Sequence, residues 1–564
     1  MARAGIFLIA VALIAGMVGC IPASQDLEIR TWYDLDAVRD ELYGHYFLMN
    51  NLDSTTPGYG GLANPTANDG KGWDPIDDFA GIFEGQGYEI RELFINRSDE
   101  RWVGLFGIVE EGAVIKNLGV VDVSVSGSDY TGGMVGHNGG VSLSGPYAGG
   151  TLTDCYAAGN VNGREFVGGL VGLNVGTLIN SHSNGNVTGL ARVGGLVGDN
   201  WEILSNCYAT CTVTGQNGVG GLVGYNYYGT VNDSYSAGEV IGEKSVGGLV
   251  GENQGGTVSN SYYDYEEVLI NGENIITTGA LFDEDFDQWL AQNRFLDVNE
   301  RLSQEDGHYV VNTVADFREL LAFGQDSSLK FRLKEDLDLA TEPNFYIPYL
   351  AGEFDGNGHK ISNLSFDFDF ISHIGLFGYL TPVGKITQVG VESVNITGED
   401  DVGGLVGWNE GTVSSSNSSG SVTGDMHVGG LVGRNEGGAV SDSHSAGSVK
   451  GSYAVGGLVG MDEYGGAVGN SYSTGDVTGD GNVGGLVGMN DYGCSVSNSF
   501  WDTQASGQAT SDGGTGKNTT EMKNIATFSV AGWSIIAVAL NETDPAYIWN
   551  IVNNTTYPFL SWES

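Results

Sequence analysis

The sequence predicts an all-β protein: a parallel β-helix (β-solenoid) of ~27-residue coils, in two tandem copies with short capping helices. Three observations predict it. First, a Gly-Gly-Leu-Val-Gly stretch recurs, its first Gly at 132, 168, 194, 220 and 247, then at 403, 429, 456 and 484. The steps are 36, 26, 26 and 27, then 26, 27 and 28, and one supersecondary unit per step is the natural reading. Second, each step holds three short β-type runs, such as Gly-Leu-Val, Thr-Val-Ser-Asn-Ser-Tyr and Asp-Val-Thr. Gly, Asn, Asp or Ser separates them, with no helical period. Third, the segment before the repeats returns midway: Thr31-Trp32-Tyr33-Asp34-Leu35 is matched by Thr313-Val314-Ala315-Asp316-Phe317.

Composition limits the partners. The 564 residues are too many for one ordinary core. Glycine is abundant (92) without a Gly-X-Y period, and hydrophobic residues make up 41%, which excludes collagen and argues against plain disorder. Asp plus Glu outnumber Lys plus Arg by 70 to 23, a net charge of −47. Such a surface repels nucleic acid and anionic lipid. It is compatible with Ca2+, yet diffuse acidity defines no metal site, and the sequence shows no cofactor motif.

In chain order, residues 1–19 read as a lipoprotein-type signal peptide. Arg3 precedes an apolar run from Gly5 to Gly16, and Met17-Val18-Gly19-Cys20 resembles a lipobox in which Cys20 is acylated. The alternative is an ordinary signal peptide and a secreted chain. Residues 20–30 form a tether. Residues 31–263 are the first half with its N-terminal cap, where Thr31 is a candidate N-cap with Asp34 three residues on. Residues 264–307 break the repeat as a connector or cap, with a short helix predicted at Asp283-Glu284-Asp285. Residues 308–564 are the second half with its C-terminal cap. No CxxC spacing links Cys155, Cys207, Cys211 and Cys494, which read as small residues at repeat positions.

The Val-Gly-Gly-Leu-Val-Gly units at Val167 and Val193, with seven further copies, resemble the GLUG repeat family. Thr131 and Met134 depart from the motif in the first copy. The resemblance implies a secreted or surface protein of the adhesin-like kind; some family members are IgA-specific peptidases, and no peptidase domain is recognisable here.

Two columns and two insertions are candidates for function. Asn138, Asn174, Asn200, Asn226, Asn253, Asn409, Asn435 and Asn490, with Asp462, recur after Gly-Leu-Val-Gly-X. They read as structural, either as left-handed turn residues or as stacked amides. A second, mainly aromatic column comprises Tyr156, His182, Tyr208, Tyr235 and Tyr262, then Asn417, His444, Tyr472 and Phe500. Facing outward, Tyr156, Tyr208, Tyr235, Tyr262 and Tyr472 could stack on sugars or a partner; the alternative is mutual stacking between coils. Pro146 and Tyr147 lie in the ten-residue insertion of the 36-residue step, and Ser54 to Asp78 is a second long loop. Asp355-Gly356-Asn357-Gly358-His359 reads as a turn. The expectation is therefore a non-enzymatic surface protein binding an extracellular glycan or protein. The alternative is a polysaccharide lyase or hydrolase on the same type of scaffold, which needs convergent acids.

Overall fold

The computed structural model describes residues 26–140, 148–491 and 493–563. It is an all-β parallel solenoid of about 15 turns with ~27-residue coils and 9% helix. One coil shows the design: strands Glu165–Gly168, Val171–Asn174, Thr177–Ile179 and His182–Thr188. The next coil repeats them in register, with Val167 opposite Val193, Asn174 opposite Asn200 and His182 opposite Tyr208. A coil thus has four strands rather than the expected three. The chain bends between Gly168 and Val171, dividing the apparently continuous Val-Gly-Gly-Leu-Val run in two.

The glycine pair is required by that bend. A Cβ on Gly168 would fall 2.0 Å from the Val171 carbonyl oxygen of its own coil, and one on Gly169 2.2 Å from the Gly195 carbonyl oxygen of the next. Inward columns fill the interior: Val167, Val193 and Val219; Leu170, Leu196 and Leu222; Leu178, Leu204 and Val231; all fully buried. Each coil covers its neighbour's apolar residues, and one continuous core extends from Ile29 to Trp501.

The ends explain the special segments. Thr31 and Asp34 form the expected capping box on helix Trp32–Asp36, and Thr313 and Asp316 repeat it on Val314–Arg318. The loop 54–78 does not project: Trp73 is fully buried, its indole donating to the Leu105 carbonyl at 3.0 Å. At the last coil of each half, the small inward residue seen at Ser183, Ala209 and Ser236 is replaced by Tyr263 or Trp501. These rings lie against Gly248 and Gly485, where a Cβ would come within 2.5 and 2.0 Å of them. A large ring substitutes for the missing next coil. The predicted helix is present as Asp283–Ala291. In the C-terminal segment, helices Thr519–Met522 and Ile525–Val530 precede a small three-stranded sheet that includes Trp549–Ile551 and Phe559–Leu560. The segment's apolar residues form a separate cluster around Phe528, Trp533 and Trp549.

Among the described residues, no strand pairing joins the two stacks. Side chains of the second close the open edge of the first. Val258 N–H donates to the Tyr349 hydroxyl at 3.3 Å, and Ser261 N–H to Gln325 Oε1 at 3.0 Å. Ser245 N–H donates to Glu399 at 3.1 Å, and the same nearly buried carboxylate pairs with Lys244 at 2.9 Å. The edge is thereby satisfied and blocked against further strand addition.

Candidate functional site: the outer columns and the cleft between the stacks

The predicted aromatic column forms a stack. Tyr156 and His182 lie 4.9 Å apart at 4°, His182 and Tyr208 4.6 Å at 4°, and Tyr208 and Tyr235 4.9 Å at 7°. The coil repeat sets this spacing, and ring faces are consumed by neighbouring rings, leaving edges outward. Burial lowers the His182 pKa, consistent with a neutral ring in the stack. Two members are corrected as binding candidates. Tyr262 is 3% exposed, lies edge-on to Trp289 at 5.2 Å, and donates its hydroxyl to the Ala322 carbonyl. Tyr472 is also 3% exposed, beneath the C-terminal cap, with its hydroxyl on the Pro558 carbonyl. Both are covered by segments distant in sequence. Pro146 and Tyr147 lie outside the described residues, as do the lipobox and Cys20.

The asparagine column is a hydrogen-bonded ladder. Asn138 donates to Asn174 at 2.8 Å, Asn174 to Asn200 at 2.8 Å, Asn200 to Asn226 at 2.9 Å and Asn226 to Asn253 at 2.7 Å. Asn409, Asn435 and Asp462 continue the pattern in the second stack. The amides are buried, and the low local dielectric strengthens each bond. The left-handed expectation fails for these residues, which are strand members. Left-handed residues occupy other positions, among them Asn180, Asn206 and Asn260.

One column absent from the sequence reading carries more chemistry. The residue before each Val-Gly-Gly, and before the related Thr131-Gly132-Gly133 and Ile374-Gly375-Leu376, is left-handed: Tyr130, Phe166, Arg192, Gly218 and Ser245, then His373, Asp401, His427, Ala454 and Asn482. Beside it stands the residue between Gly-Leu-Val-Gly and Asn: His137, Leu173, Asp199, Tyr225 and Glu252, then Trp408 and Arg434. The two columns interlock. Tyr130 stacks on Phe166 at 4.5 Å, and Arg192 lies over Phe166 at 4.9 Å and Tyr225 at 4.3 Å while pairing with Asp199 at 2.6 Å. The available signal was variation: these positions change from coil to coil while the surrounding repeat does not.

In the second stack the same columns form a charged network. The buried Asp401 carboxylate accepts from His373 at 3.1 Å and His427 at 2.7 Å, so the facing ring nitrogens carry the protons. Burial would raise its pKa, but these two bonds hold it well below the usual range. Arg434 lies 4.1 Å over Trp408 and pairs with Glu436 at 2.7 Å and Glu463 at 2.6 Å. Glu410 accepts from the Tyr379 hydroxyl. Burial, with Glu410 and Glu463 adding and Arg434 opposing, pushes the Glu436 carboxyl up to about 7. Among the described residues, no group of three or more His, Cys, Asp or Glu is arranged to hold a metal ion.

The first stack borders this network. Glu252 is raised mainly by burial, with Asp401 adding and His373 and Arg434 opposing. Tyr228 is raised by burial, then by Glu436, Tyr227, Glu410 and Tyr464. Val250, Gly251 and Asn253 of the first stack and Ser372, His373 and Tyr379 of the second line one small cavity. On the first stack, Val175, Trp201, Glu202, Tyr227 and Tyr228 line a concavity of about 480 Å3. Trp201 and Tyr227 are tilted 50° at 4.9 Å, and Tyr227 and Tyr228 meet edge-on at 4.7 Å. These rings are splayed, unlike those of the stacked column. Tyr228 is 57% exposed and Tyr464 58%.

Comparison with known proteins agrees with the repeat. The family model described as the GLUG motif matches residues 215–241 and 424–450. Halomucin of Haloquadratum walsbyi is 41% identical over 108 residues, 19% of this chain and 1% of that protein. A protein named as a Gly-rich membrane protein in Evansella cellulosilytica is 37% identical over 125 residues, 20% of this chain and 13% of its own length. The chain thus spans a small part of both relatives. A Bacteroides ovatus structure described as an immunoglobulin A1 protease aligns over 46% of this chain and 94% of its own, at 18% identity and a TM-score of 0.35. The period, the glycine-pair geometry and the matched segments agree that the chain carries GLUG-motif repeats, matched at residues 215–241 and 424–450.

Proposed function

We propose that this is an exported, lipid-anchored cell-surface β-helix protein with a structural and adhesive role, binding an extracellular glycan. The observation that carries the binding role is the splayed corner of Trp201, Tyr227 and Tyr228 around a concavity, with Tyr228 57% exposed and able to lie against sugar C–H faces. Surface location draws on the signal-like N-terminus, the acidic composition and the names of the two relatives. No described helix is long and apolar enough to cross a membrane, so attachment is assigned to acyl chains on Cys20.

The test is a glycan and host-matrix binding screen run beside polysaccharide depolymerisation. Saturable glycan binding that falls at least ~10-fold in Trp201→Ala supports the reading, in line with the loss of one buried stacking contact. Binding indifferent to that change defeats it. Incorporation of labelled fatty acid, abolished in Cys20→Ala, tests the anchor.

A second reading, a polysaccharide lyase or hydrolase, is favoured by one arrangement: Glu410, Glu436 and Glu463 gathered around Arg434, with Glu436 titrating near neutrality. Glu436 and Glu463 are nearly enclosed and directed at Arg434, an arrangement suited to an ion-pair network. Product formation that disappears in Glu436→Gln would establish the enzyme and displace the binding role.

A further inference from the structure

Beside Tyr228 the two stacks enclose a larger cavity. A Cβ on Gly255 would fall 2.3 Å from the Tyr228 ring, so the ring lies against the chain there. Gly255 also lines a cleft of about 590 Å3 between the last coil of the first stack and the first coils of the second. That volume is in the range of small-molecule sites, which favour such junctions. Both walls are pinned. Asn260 accepts from the Trp289 indole at 2.8 Å and donates to the Arg294 carbonyl at 2.7 Å. The Arg294 guanidinium lies over Tyr235 and Trp289 at 5.3 and 5.7 Å. With Arg294 so held, the next residue, Phe295, is presented at the rim, 61% exposed. On the opposite wall Gln325 accepts from the Ser261 N–H at 3.0 Å and donates to the Ser261 carbonyl at 2.9 Å. That clamp sets the exposed Asp326 beside the cleft. Its Oδ1 accepts from Ser328, and its Oδ2 has no partner among the described residues. Tyr349 lines the interior; its hydroxyl accepts from Val258 N–H at 3.3 Å, and no described group accepts its proton.

The lining selects the ligand. A peptide strand has no ladder to join, because Tyr349 and Gln325 already hold the Val258 and Ser261 amides. A wholly apolar ligand would strip water from the Asp326 carboxylate and leave the Tyr349 proton without an acceptor. A sugar meets both walls: C–H faces for Phe295, an oxygen for the Tyr349 proton and hydroxyl donors for Asp326. An anionic sugar would bring its own carboxylate against Asp326. Resting on the glycan-binding reading above, we infer that this cleft is a second subsite for the same, uncharged polysaccharide. The chain passes over Tyr228 and Gly255 and places its next sugar units between Phe295 and Asp326.

The test uses the full chain with hexasaccharides of β-linked glucose, β-linked mannose, N-acetylglucosamine and galacturonate, followed by titration calorimetry and hydrogen exchange. An uncharged oligomer is expected to bind most tightly and to slow exchange within residues 255–262. Phe295→Ala and Asp326→Asn should each weaken it about tenfold, the scale of one ring contact or one hydrogen bond to a carboxylate. Neither should move the thermal unfolding curve, since Phe295 is exposed and an Asn amide oxygen still accepts from Ser328. Those two losses together support the inference. Affinity that falls in Tyr228→Ala but holds in both cleft variants overturns it and leaves the corner reading standing. An effect of Phe295→Ala without one of Asp326→Asn marks an apolar pocket and overturns the sugar assignment, and preference for galacturonate overturns the uncharged one. If none of the four binds, the glycan reading falls with it.

Discussion

Asp462 stands where the asparagine ladder needs an amide, and it should make the second stack pH-sensitive. In each other rung an Asn Nδ2 donates to the next coil. Asp462 Oδ1 accepts from Asn435 at 2.7 Å, but its Oδ2 and Asn490 Oδ1, the next rung, have no hydrogen-bond partner among the described residues. A protonated Asp462 supplies the missing donor; an ionised one sets two acceptors side by side. Burial, with Glu463 adding and Asn435 opposing, pushes the carboxyl from 3.8 up to about 6. A folded-state pKa above the unfolded value means the proton stabilises the fold. That stabilisation is full below about pH 4 and is lost as pH rises through about 6. A shift of roughly two units corresponds to about 3 kcal/mol. Asp462→Asn restores the donor at every pH. At pH 8 amide exchange in strands Val459–Glu463 and Val487–Asn490 should slow by up to ~100-fold relative to the unsubstituted chain, and at pH 4 by only a few-fold. Equal protection at pH 8, or the same gain at both pH values, would refute the argument.

Three further outcomes follow from the packing. Glu399→Ala removes the carboxylate shared by Lys244 and the Ser245 amide. With a buried partner left behind, it should cost about 1–3 kcal/mol at the junction, seen as faster proteolysis within residues 264–307 and a broader small-angle scattering profile. Gly195→Ala places a Cβ 2.1 Å from the Gly221 carbonyl oxygen; steric overlap of backbone should cost at least ~3 kcal/mol and lower soluble yield sharply, whereas Ala at the open Gly61 should not. Tyr208→Ala removes the ring between His182 and Tyr235, and thermal unfolding should show a loss of about 2–4 kcal/mol while glycan affinity stays within twofold.

The coil was legible because backbone packing imposes it on every repeat. The glycine pair is where a Cβ would strike both its own coil and the next, so its period reports the coil directly. The capping boxes at Thr31 and Thr313 were legible because their bonds are local. The bend between Gly168 and Val171 was not, since an uninterrupted apolar run does not show where the chain turns. Nor was the fate of Tyr262 and Tyr472: each is covered by residues brought from far along the chain, Trp289 and the segment around Pro558. Ser54 to Asp78 misled in the same way, because a polar loop hid Trp73, which anchors it to the first coils. The outer columns were not legible in the repeat because their residues differ from coil to coil. At the positions of Arg192, Asp199, Tyr225 and Arg434 the informative feature is what varies against a constant frame. That frame holds each side chain on a fixed 4.8 Å lattice.

The claim that function resides in the splayed corner and not in the stacked tyrosines has one direct measurement. The affinity of the chain for its glycan is compared among the unsubstituted protein, the Trp201→Ala/Tyr227→Ala double variant and Tyr208→Ala. The account predicts a fall of at least ~30-fold in the double variant, from two stacking contacts, and no change beyond twofold in Tyr208→Ala. The reverse order, with Tyr208 critical and the corner dispensable, would return the binding surface to the stacked column and contradict the account.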